Sequence, residues 1–365
     1  MKVPFVDLFA QYERYKQEID TAMADVIREA SFIGGQHVAA FEKNFSSYVG
    51  NEHVIACANG TDSLEIFLDI FGVGPGDEVI IPAMSWISTS ESIGTKGATP
   101  VFVDVDEFYT IDVRQIEDKI TERTRGIIPV HLYGCAANMP EIMKIAEKHN
   151  LFVIEDCAQA HGAEYGGKRI ATFGHASSFS FYPGKNLGAY GDAGAMSTNN
   201  QEIANTARMI ANHGQLKKHT HLMEGRNSRL DGIHAAVLNV KLQYVEAWTE
   251  ERRRNADLYR KHLQGVPVVL PTEPAGGRHV YHLFVIQVEN REGLSAHLAS
   301  KGISTAIHYP TPLPFMPCYA GLGHTESEFP RAAAAADRIL SLPMYAELSE
   351  AQIEYVANSI KEFYA

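Results

Sequence analysis

The chain is poor in cysteine: it has four in 365 residues (Cys57, Cys135, Cys157 and Cys318), none in a CxxC pair. So sparse a set excludes a disulfide framework and points to free thiols in a reducing cytosol. Long basic runs are also lacking, and 32 Lys and Arg stand against 44 Asp and Glu, a formal net charge of −12. Phosphate backbones and anionic bilayers are gripped by clustered cations, so neither nucleic acid nor a membrane is the expected partner. No apolar stretch reaches the ~18 residues of a membrane span. The opening segment, MKVPFVDLFAQYERY, meets Asp7 before an apolar run can develop, unlike a signal peptide. A soluble cytoplasmic protein is expected. No GxGxxG follows the first strand: the glycines at 72–76 precede a strand, and those at 188–194 follow one without a clear helix. That argues against a nicotinamide-dependent oxidoreductase. His219 and His221 lack Cys or acidic neighbours at ligand spacing, so they read as a solvated loop and no metal site is expected.

What is present is a globular composition, 45% hydrophobic and 21% charged, over a length that suggests roughly two domains. Residues 16–30 read as a helix with Ile19, Met23, Val26 and Ile27 on one face, and residues 37–49 as a second. Strand patterns follow at 53–58, 77–82, 99–104, 125–131, 151–155 and 177–182, with helices between several of them. This alternation implies an α/β fold with a mostly parallel sheet flanked by helices. Residues 201–213 form a helix and 214–231 read as a polar loop. A helix resumes from Gly232 to about His262, with Trp248 and the charged run 250–254 on its exposed face. Beyond Gly265 come a strand (280–288), a helix (291–301), a strand (303–309), a Pro-rich loop and a last helix (350–363). The expected division is a large α/β domain over 1–245 and a smaller α+β domain over 246–365, joined by the long helix.

The chemistry gathers around HASSFSFYPGKNLGAYGDAGA, residues 175–195. A strand ends in Pro183-Gly184 and delivers Lys185. An amine placed there can lie desolvated on a pocket floor and act as a nucleophile toward carbonyls; a surface lysine in a Gly-rich turn is the plainer alternative. Asn59-Gly60-Thr61-Asp62-Ser63 joins a strand to a helix, which suits either a phosphate at the helix N-terminus or ordinary capping by Thr61 or Ser63. Asp156 ends a buried strand, where open α/β sheets place ligand contacts, or where a carboxylate caps a turn. Trp86 lies on a strand-to-helix connection, as packing or as a stacking platform. The four features together fit one ligand, pyridoxal phosphate: Lys185 for its aldehyde, Asp156 for its ring nitrogen, Gly60, Thr61 and Ser180 for its phosphate, and Trp86 for its ring face.

The motifs NGTDSL (59–64), EDCAQAHGA (155–163), SFSFYPGKNLGAYGDAGA (178–195), GRNSRLDGIHAAVL (225–238) and IHYPTPL (307–313) carry a clear likeness. Over essentially its whole length the chain resembles the DegT/DnrJ/EryC1/StrS sugar aminotransferases, pyridoxal phosphate enzymes of fold type I. The resemblance implies a large domain with a seven-stranded sheet. It implies that Lys185 is the lysine joined to the cofactor, that Asp156 pairs with the ring nitrogen and that Gln159 lies by the ring. It implies that Trp86 stacks, that Thr61, the Asp62 backbone and Ser180 hold the phosphate, and that Asn227 reaches the phosphate from the other subunit of a homodimer. Arg229, His308 and Tyr309 match positions near the sugar nucleotide, again expected from the partner chain. His234 stands where the family often has Gln, Ala193 where it often has Gly, and Pro314 and Met316 where it often has His and Gln. A related dehydrase branch replaces the lysine with histidine, so Lys185 points to transamination.

The resemblance implies L-glutamate as amino donor and a nucleotide-linked keto-sugar as acceptor, in surface polysaccharide biosynthesis. The expected acceptor is the C3 keto group of a UDP-2-acetamido-2-deoxy-hexuronate, because the Arg229 guanidinium suits a carboxylate. A C3 or C4 keto group of a dTDP- or UDP-linked 6-deoxyhexose is the alternative, and a non-catalytic regulatory or binding protein on the same fold is a further one.

Overall fold

A computed structural model describes residues 1–365. In chain order the elements are α1 (Leu8–Arg28), α2 (Gly35–Val49), β1 (His53–Cys57), α3 (Gly60–Ile70), β2 (Glu78–Pro82), α4 (Ser88–Gly94), β3 (Thr99–Val103), β4 (Thr124–Ile127) and α5 (Met139–His149). Then come β5 (Phe152–Asp156), β6 (Glu164–Tyr165), β7 (Lys168–Arg169), β8 (Ala176–Ser180), β9 (Gly194–Thr198), α6 (Gln201–Ala211), β10 (Gln215–Lys217), β11 (Thr220–His221), α7 (Gly232–Leu242) and α8 (Val245–His262). The chain closes with β12 (Gly277–Arg278), β13 (Phe284–Gln287), α9 (Arg291–Ser300), α10 (Pro330–Arg338), β14 (Ile339–Leu342) and α11 (Glu350–Tyr364).

Seven strands form the central sheet in the order β1-β9-β8-β5-β4-β2-β3. Only β9 runs against the rest, so the sheet is mostly parallel, as the alternating pattern requires. β2 and β5 are buried at every residue, because helices cover both faces. Short polar side chains start the helices. Asp7 accepts from the Ala10 amide, Asn59 from Asp62, Asn138 from Glu141 and Asn200 from Ile203, satisfying donors that a helix leaves free at its start.

Apolar side chains from the sheet face, α3 and α6 pack with Leu283, Leu313, Phe329 and Ile339 of the C-terminal part. A second core joins α1, α2, α7 and Trp248 over the opposite sheet face. A third belongs to α8, α9, α11 and the antiparallel β13–β14 pair, and it takes in Val3 from the N-terminal end. The C-terminal part is therefore an α+β unit fastened to the sheet through Leu283, Leu313 and Phe329. No helix is long and apolar enough to cross a membrane.

Several sequence expectations are corrected. The first helix begins at Leu8, where Asp7 caps it, and bends at Tyr15 (φ −124°). Val26 is buried but Ile27 is 60% exposed, since neighbours on a helix point about 100° apart. The expected helix from Gly232 to His262 is two, broken at Gln243-Tyr244. Trp248 does not lie on an exposed face: it is 2% exposed, and its indole N–H donates to the Tyr15 hydroxyl at 2.9 Å. Arg252, inside the charged run, is buried too, because α8 is covered on both sides. The loop at 214–231 contains the β10–β11 hairpin. Residues 303–309 make only isolated bridges, at Ile303 and Ala306. The strand that pairs with β13 is β14 instead, following an alanine-rich helix.

Candidate active site

A cavity of about 590 Å³ opens at the carboxyl ends of β5 and β8, on the seam where the C-terminal part meets the sheet. Open α/β sheets bind ligands at this edge. Gly60, Thr61, Trp86, Asp156, Gln159, Ser180, Lys185, His308 and Tyr309, drawn from five separate stretches of sequence, all line it, so His308 and Tyr309, expected from a partner chain, stand in the cavity of their own chain. Asp62, Asn227 and Arg229 lie outside its wall. The Asn59 side chain caps α3 by accepting from the Asp62 amide, and Asn227 bridges Asn212. Arg226 is committed to Glu65 and Asp69 in ion pairs.

β8 leaves the sheet at Ser180, and Pro183-Gly184 turns the chain so that the Lys185 side chain faces the cavity. The turn is held by the Lys185 amide donating to the Tyr182 carbonyl and by Phe181 and Ala189 pairing across the loop. No protein group hydrogen-bonds the Lys185 amine. Burial lowers its pKa to about 8, with Asp156 acting in the opposite direction. The amine thus loses its proton far more readily than a solvated lysine.

Asp156 ends β5 with 6% of its surface exposed. It accepts from the Thr89 hydroxyl at 3.0 Å and the Ala158 amide at 3.2 Å. Burial raises its pKa, against the pull of these donors, of Lys185 and of His131. Beneath it Glu155 is buried and fully occupied, accepting from His131 and from the amides of Ala171, Phe173 and Gly174. The Ala137 amide donates to His131 Nδ1, so the imidazole proton sits on Nε2 and points at Glu155. These two residues and Cys157 lie close enough to hold a metal ion, but both imidazole nitrogens and both Glu155 oxygens are already engaged.

Gln159 is oriented at both ends: its carbonyl accepts from the Tyr133 amide at 2.8 Å and its amide donates to the Tyr309 hydroxyl at 3.0 Å. Trp86, 57% exposed, leans on the Tyr309 ring at 5.6 Å between centroids. The Thr61 hydroxyl pairs with Ser88 at 2.7 Å. The start of α3 lies against the end of β8, and glycine is required there: a Cβ on Gly60 would come within 2.9 Å of the Ser180 side chain. Gly194 lets β9 pass under the same turn, since its Cβ would stand 2.4 Å from the Asn59 carbonyl.

Pyridoxal phosphate fits this donor set. A buried carboxylate with only two neutral donors can take a ring N–H, and a low-pKa amine faces the same space. A glycine-cleared helix N-terminus offers amides to a phosphate. The sequence reading missed Thr89, Ser88, Asn59 and His282. Thr89 and Ser88 sit two or three residues beyond Trp86, and His282 lies inside a run whose apolar pattern reads as strand.

The profile of the DegT/DnrJ/EryC1/StrS aminotransferase family matches residues 13–361. A Geobacillus stearothermophilus protein named pleiotropic regulatory protein is 46% identical over 368 residues, 100% of this chain and 99% of its own. A UDP-N-acetyl-3-dehydro-alpha-D-glucosamine 3-aminotransferase from Acidithiobacillus ferrooxidans is 44% identical over 98% of this chain and 97% of its own. The UDP-2-acetamido-2-deoxy-3-oxo-D-glucuronate aminotransferase of Pseudomonas aeruginosa is 40% identical, over 98% and 99%. Among solved structures, DesV of S. venezuelae superposes with a TM-score of 0.96 at 40% identity, covering 99% of this chain and 98% of its own. Bacillus subtilis NtdA, solved with bound cofactor PMP, superposes with a TM-score of 0.91 at 30% identity, covering 99% and 85%.

Proposed function

The chain belongs to the DegT/DnrJ/EryC1/StrS aminotransferase family of pyridoxal phosphate enzymes acting on sugar nucleotides, and from that premise we propose that it moves an amino group from L-glutamate to the C3 keto group of a UDP-linked 2-acetamido sugar in surface polysaccharide biosynthesis. The observation that carries the reading is the meeting of Lys185 and Asp156 on one cavity wall, at the ends of adjacent parallel strands. When bound, the cofactor supplies an electron-withdrawing ring on which an amino group is exchanged for a keto group.

The protein's residues do the rest. Asp156 holds the proton of the ring nitrogen, and Thr89 and the Ala158 amide fix that carboxylate's direction. Lys185 Nζ takes the proton from the donor's α-carbon and returns one in the opposite half-reaction, a task that a pKa of about 8 suits. Gly60, Thr61 and Ser180 would hold the phosphate end, whereas the Asp62 amide is already given to the Asn59 side chain. Trp86 would face the ring, and Gln159, steered by Tyr133, would stand beside it. His308 and Tyr309 contact the sugar. Asn227 and Arg229 lie outside the cavity wall, and in our reading they serve the second site of a homodimer.

Two of the relatives are named for 3-keto UDP sugars, and this supports C3 and UDP. No arginine lines the cavity from within the chain, so a hexuronate substrate calls on Arg229 of the partner subunit. The test is a single-turnover panel. The aminated cofactor form of the protein is offered UDP-linked 3-keto sugars with a carboxylate or a hydroxymethyl group at C5, and dTDP-linked 3-keto and 4-keto 6-deoxyhexoses. We expect the UDP-linked 3-keto uronate to react fastest and the Arg229→Lys variant to lose that preference. Faster reaction of a 4-keto or dTDP-linked sugar overturns the substrate assignment, and equal reaction of the two UDP sugars overturns the role of Arg229.

A further inference from the structure

The N-terminal segment reaches the cavity as a strap fixed at both ends. Val3 is fully buried and bridges Ile303 in parallel: its amide donates to the Gly302 carbonyl at 2.9 Å, and its carbonyl accepts from the Ser304 amide at 3.0 Å. Pro4 has no N–H to give, so the pairing stops there. At the other end Asp7 caps α1 by accepting from the Ala10 amide at 2.9 Å. Only Pro4, Phe5 and Val6 lie between the two anchors, and Phe5 and Val6 line the same cavity as Lys185. The motifs that mark the site in the sequence begin at Asn59, far beyond this strap.

The Phe5 ring stacks on the His308 imidazole, with 5.5 Å between centroids and 26° between planes. His308 is otherwise held by its polar atoms. Its Nδ1 pairs with the Ser341 hydroxyl at 2.9 Å, and its carbonyl accepts from the Tyr133 hydroxyl. Nε2 has no protein partner and is not sealed from the cavity that the residue lines. Burial first, and then the Lys185 charge, lower the His308 pKa to about 4, so the imidazole is neutral near pH 7 and Nε2 meets a ligand as a single donor or a single acceptor. An imidazole held at Nδ1 alone can still tilt about that bond, and a flat ring against its face removes the freedom. Phe5 also packs on the core shared by Leu283, Leu313 and Phe329. That packing needs only apolar bulk, whereas the stacked face needs an aromatic ring.

We propose that Phe5 is a positioning residue of the sugar site: by backing the His308 imidazole it sets where Nε2 meets the acceptor sugar. The proposal rests on the reading of this cavity as the site of a nucleotide-linked keto-sugar with His308 against it. Gly60, Thr61, Asp156 and Ser180, at the cofactor end, belong to the sheet and its helices, whereas Phe5 and His308 belong to the strap and the C-terminal part. Removing the stacked face should therefore weaken the hold on the sugar and leave the exchange with L-glutamate as it is. A loss of binding that is the same before and during reaction shows as a higher half-saturating concentration at an unchanged limiting rate.

The test is single-turnover kinetics on the whole, cofactor-loaded protein and its Phe5→Leu and Phe5→Tyr variants. Leucine keeps the apolar bulk, and tyrosine keeps the flat face. The aminated form is offered a UDP-linked 2-acetamido-3-keto sugar, with a dTDP-linked 3-keto 6-deoxyhexose as second acceptor, and the aldehyde form is offered L-glutamate. Phe5→Leu should raise the half-saturating concentration of the acceptor by about 2- to 10-fold, the range of an aromatic pair, with the limiting rate within about twofold. Its glutamate half-reaction should match that of the unaltered protein, and Phe5→Tyr should match it throughout. An unmoved half-saturation in Phe5→Leu, an equal rise for glutamate, or an equal loss in both variants overturns the proposal. So does a Phe5→Leu protein that circular dichroism shows to be unfolded, which assigns Phe5 to packing. An unaltered protein that reacts only with the dTDP-linked sugar overturns the UDP reading, and Phe5 is then judged on that acceptor; one that takes glutamate but reacts with neither sugar overturns both.

Discussion

Asp156→Asn separates what the carboxylate does for binding from what it costs the fold. The amide is nearly isosteric and the site can receive it. Its oxygen keeps the Ala158 amide, and its nitrogen takes the place facing Thr89, whose hydroxyl then accepts and turns its own proton to Ser85, 2.7 Å away. What is lost is the charge. A hydrogen bond to a charged partner contributes about 1.5–3 kcal/mol, so cofactor affinity should fall about 10- to 150-fold. The protein without cofactor should respond in the opposite sense. Burial raises the Asp156 pKa above its unfolded value. The group's contribution to stability is then fully present below the ordinary carboxylate pKa of about 3.9 and is lost as pH rises through the folded value. A neutral amide carries no such loss. Urea unfolding of the cofactor-free proteins should find Asp156→Asn at least as stable as the parent near neutral pH, with the difference closing as pH falls toward about 4. Equilibrium dialysis should find it the weaker binder. A variant that binds cofactor as tightly as the parent, or that is destabilised equally at every pH, refutes the reasoning.

Gly194→Ala sets a methyl 2.4 Å from the Asn59 carbonyl, whereas Gly74→Ala meets nothing within 4 Å; the first should cost about 1–3 kcal/mol in urea unfolding and weaken cofactor binding, and the second should do neither. Arg252→Met strips the donors from the Tyr281 and Met344 carbonyls, so it should lower stability by about 1.5–3 kcal/mol in urea unfolding. His161 lies buried between Phe179 and Phe181 with neither ring nitrogen bonded, and burial lowers its pKa to about 3. Its folded pKa is depressed, so the unfolded chain takes up the proton first and stability falls as pH drops from about 6.5 toward the folded value. His161→Phe should therefore move the acid-unfolding midpoint to lower pH, as followed by circular dichroism.

Six of the seven strands were legible because they are short apolar runs with a locally written period; β9 (Gly194–Thr198) was not, since it follows the Gly-rich loop after Lys185 with no helix before it and carries Gly, Ser and Thr. Lys185, Asp156, Gly60 and Trp86 were legible as residues of the right type at strand ends. Their convergence was not, since it depends on β5 and β8 being neighbours although 19 residues separate Asp156 from Ala176. Trp248 and Arg252 misled because a charged stretch on a helix normally faces water, and here α8 is clasped between two cores. β14 was hidden by the alanine-rich helix before it. Arg229 lies apart from the cavity within one chain.

The most direct measurement is borohydride reduction of the native, cofactor-loaded protein followed by peptide mass analysis. One cofactor mass should be found on the peptide carrying Lys185, on that side chain and on no other lysine, and it should vanish in Lys185→Ala. Cofactor mass on a different residue, or none on any, would contradict the account at its root.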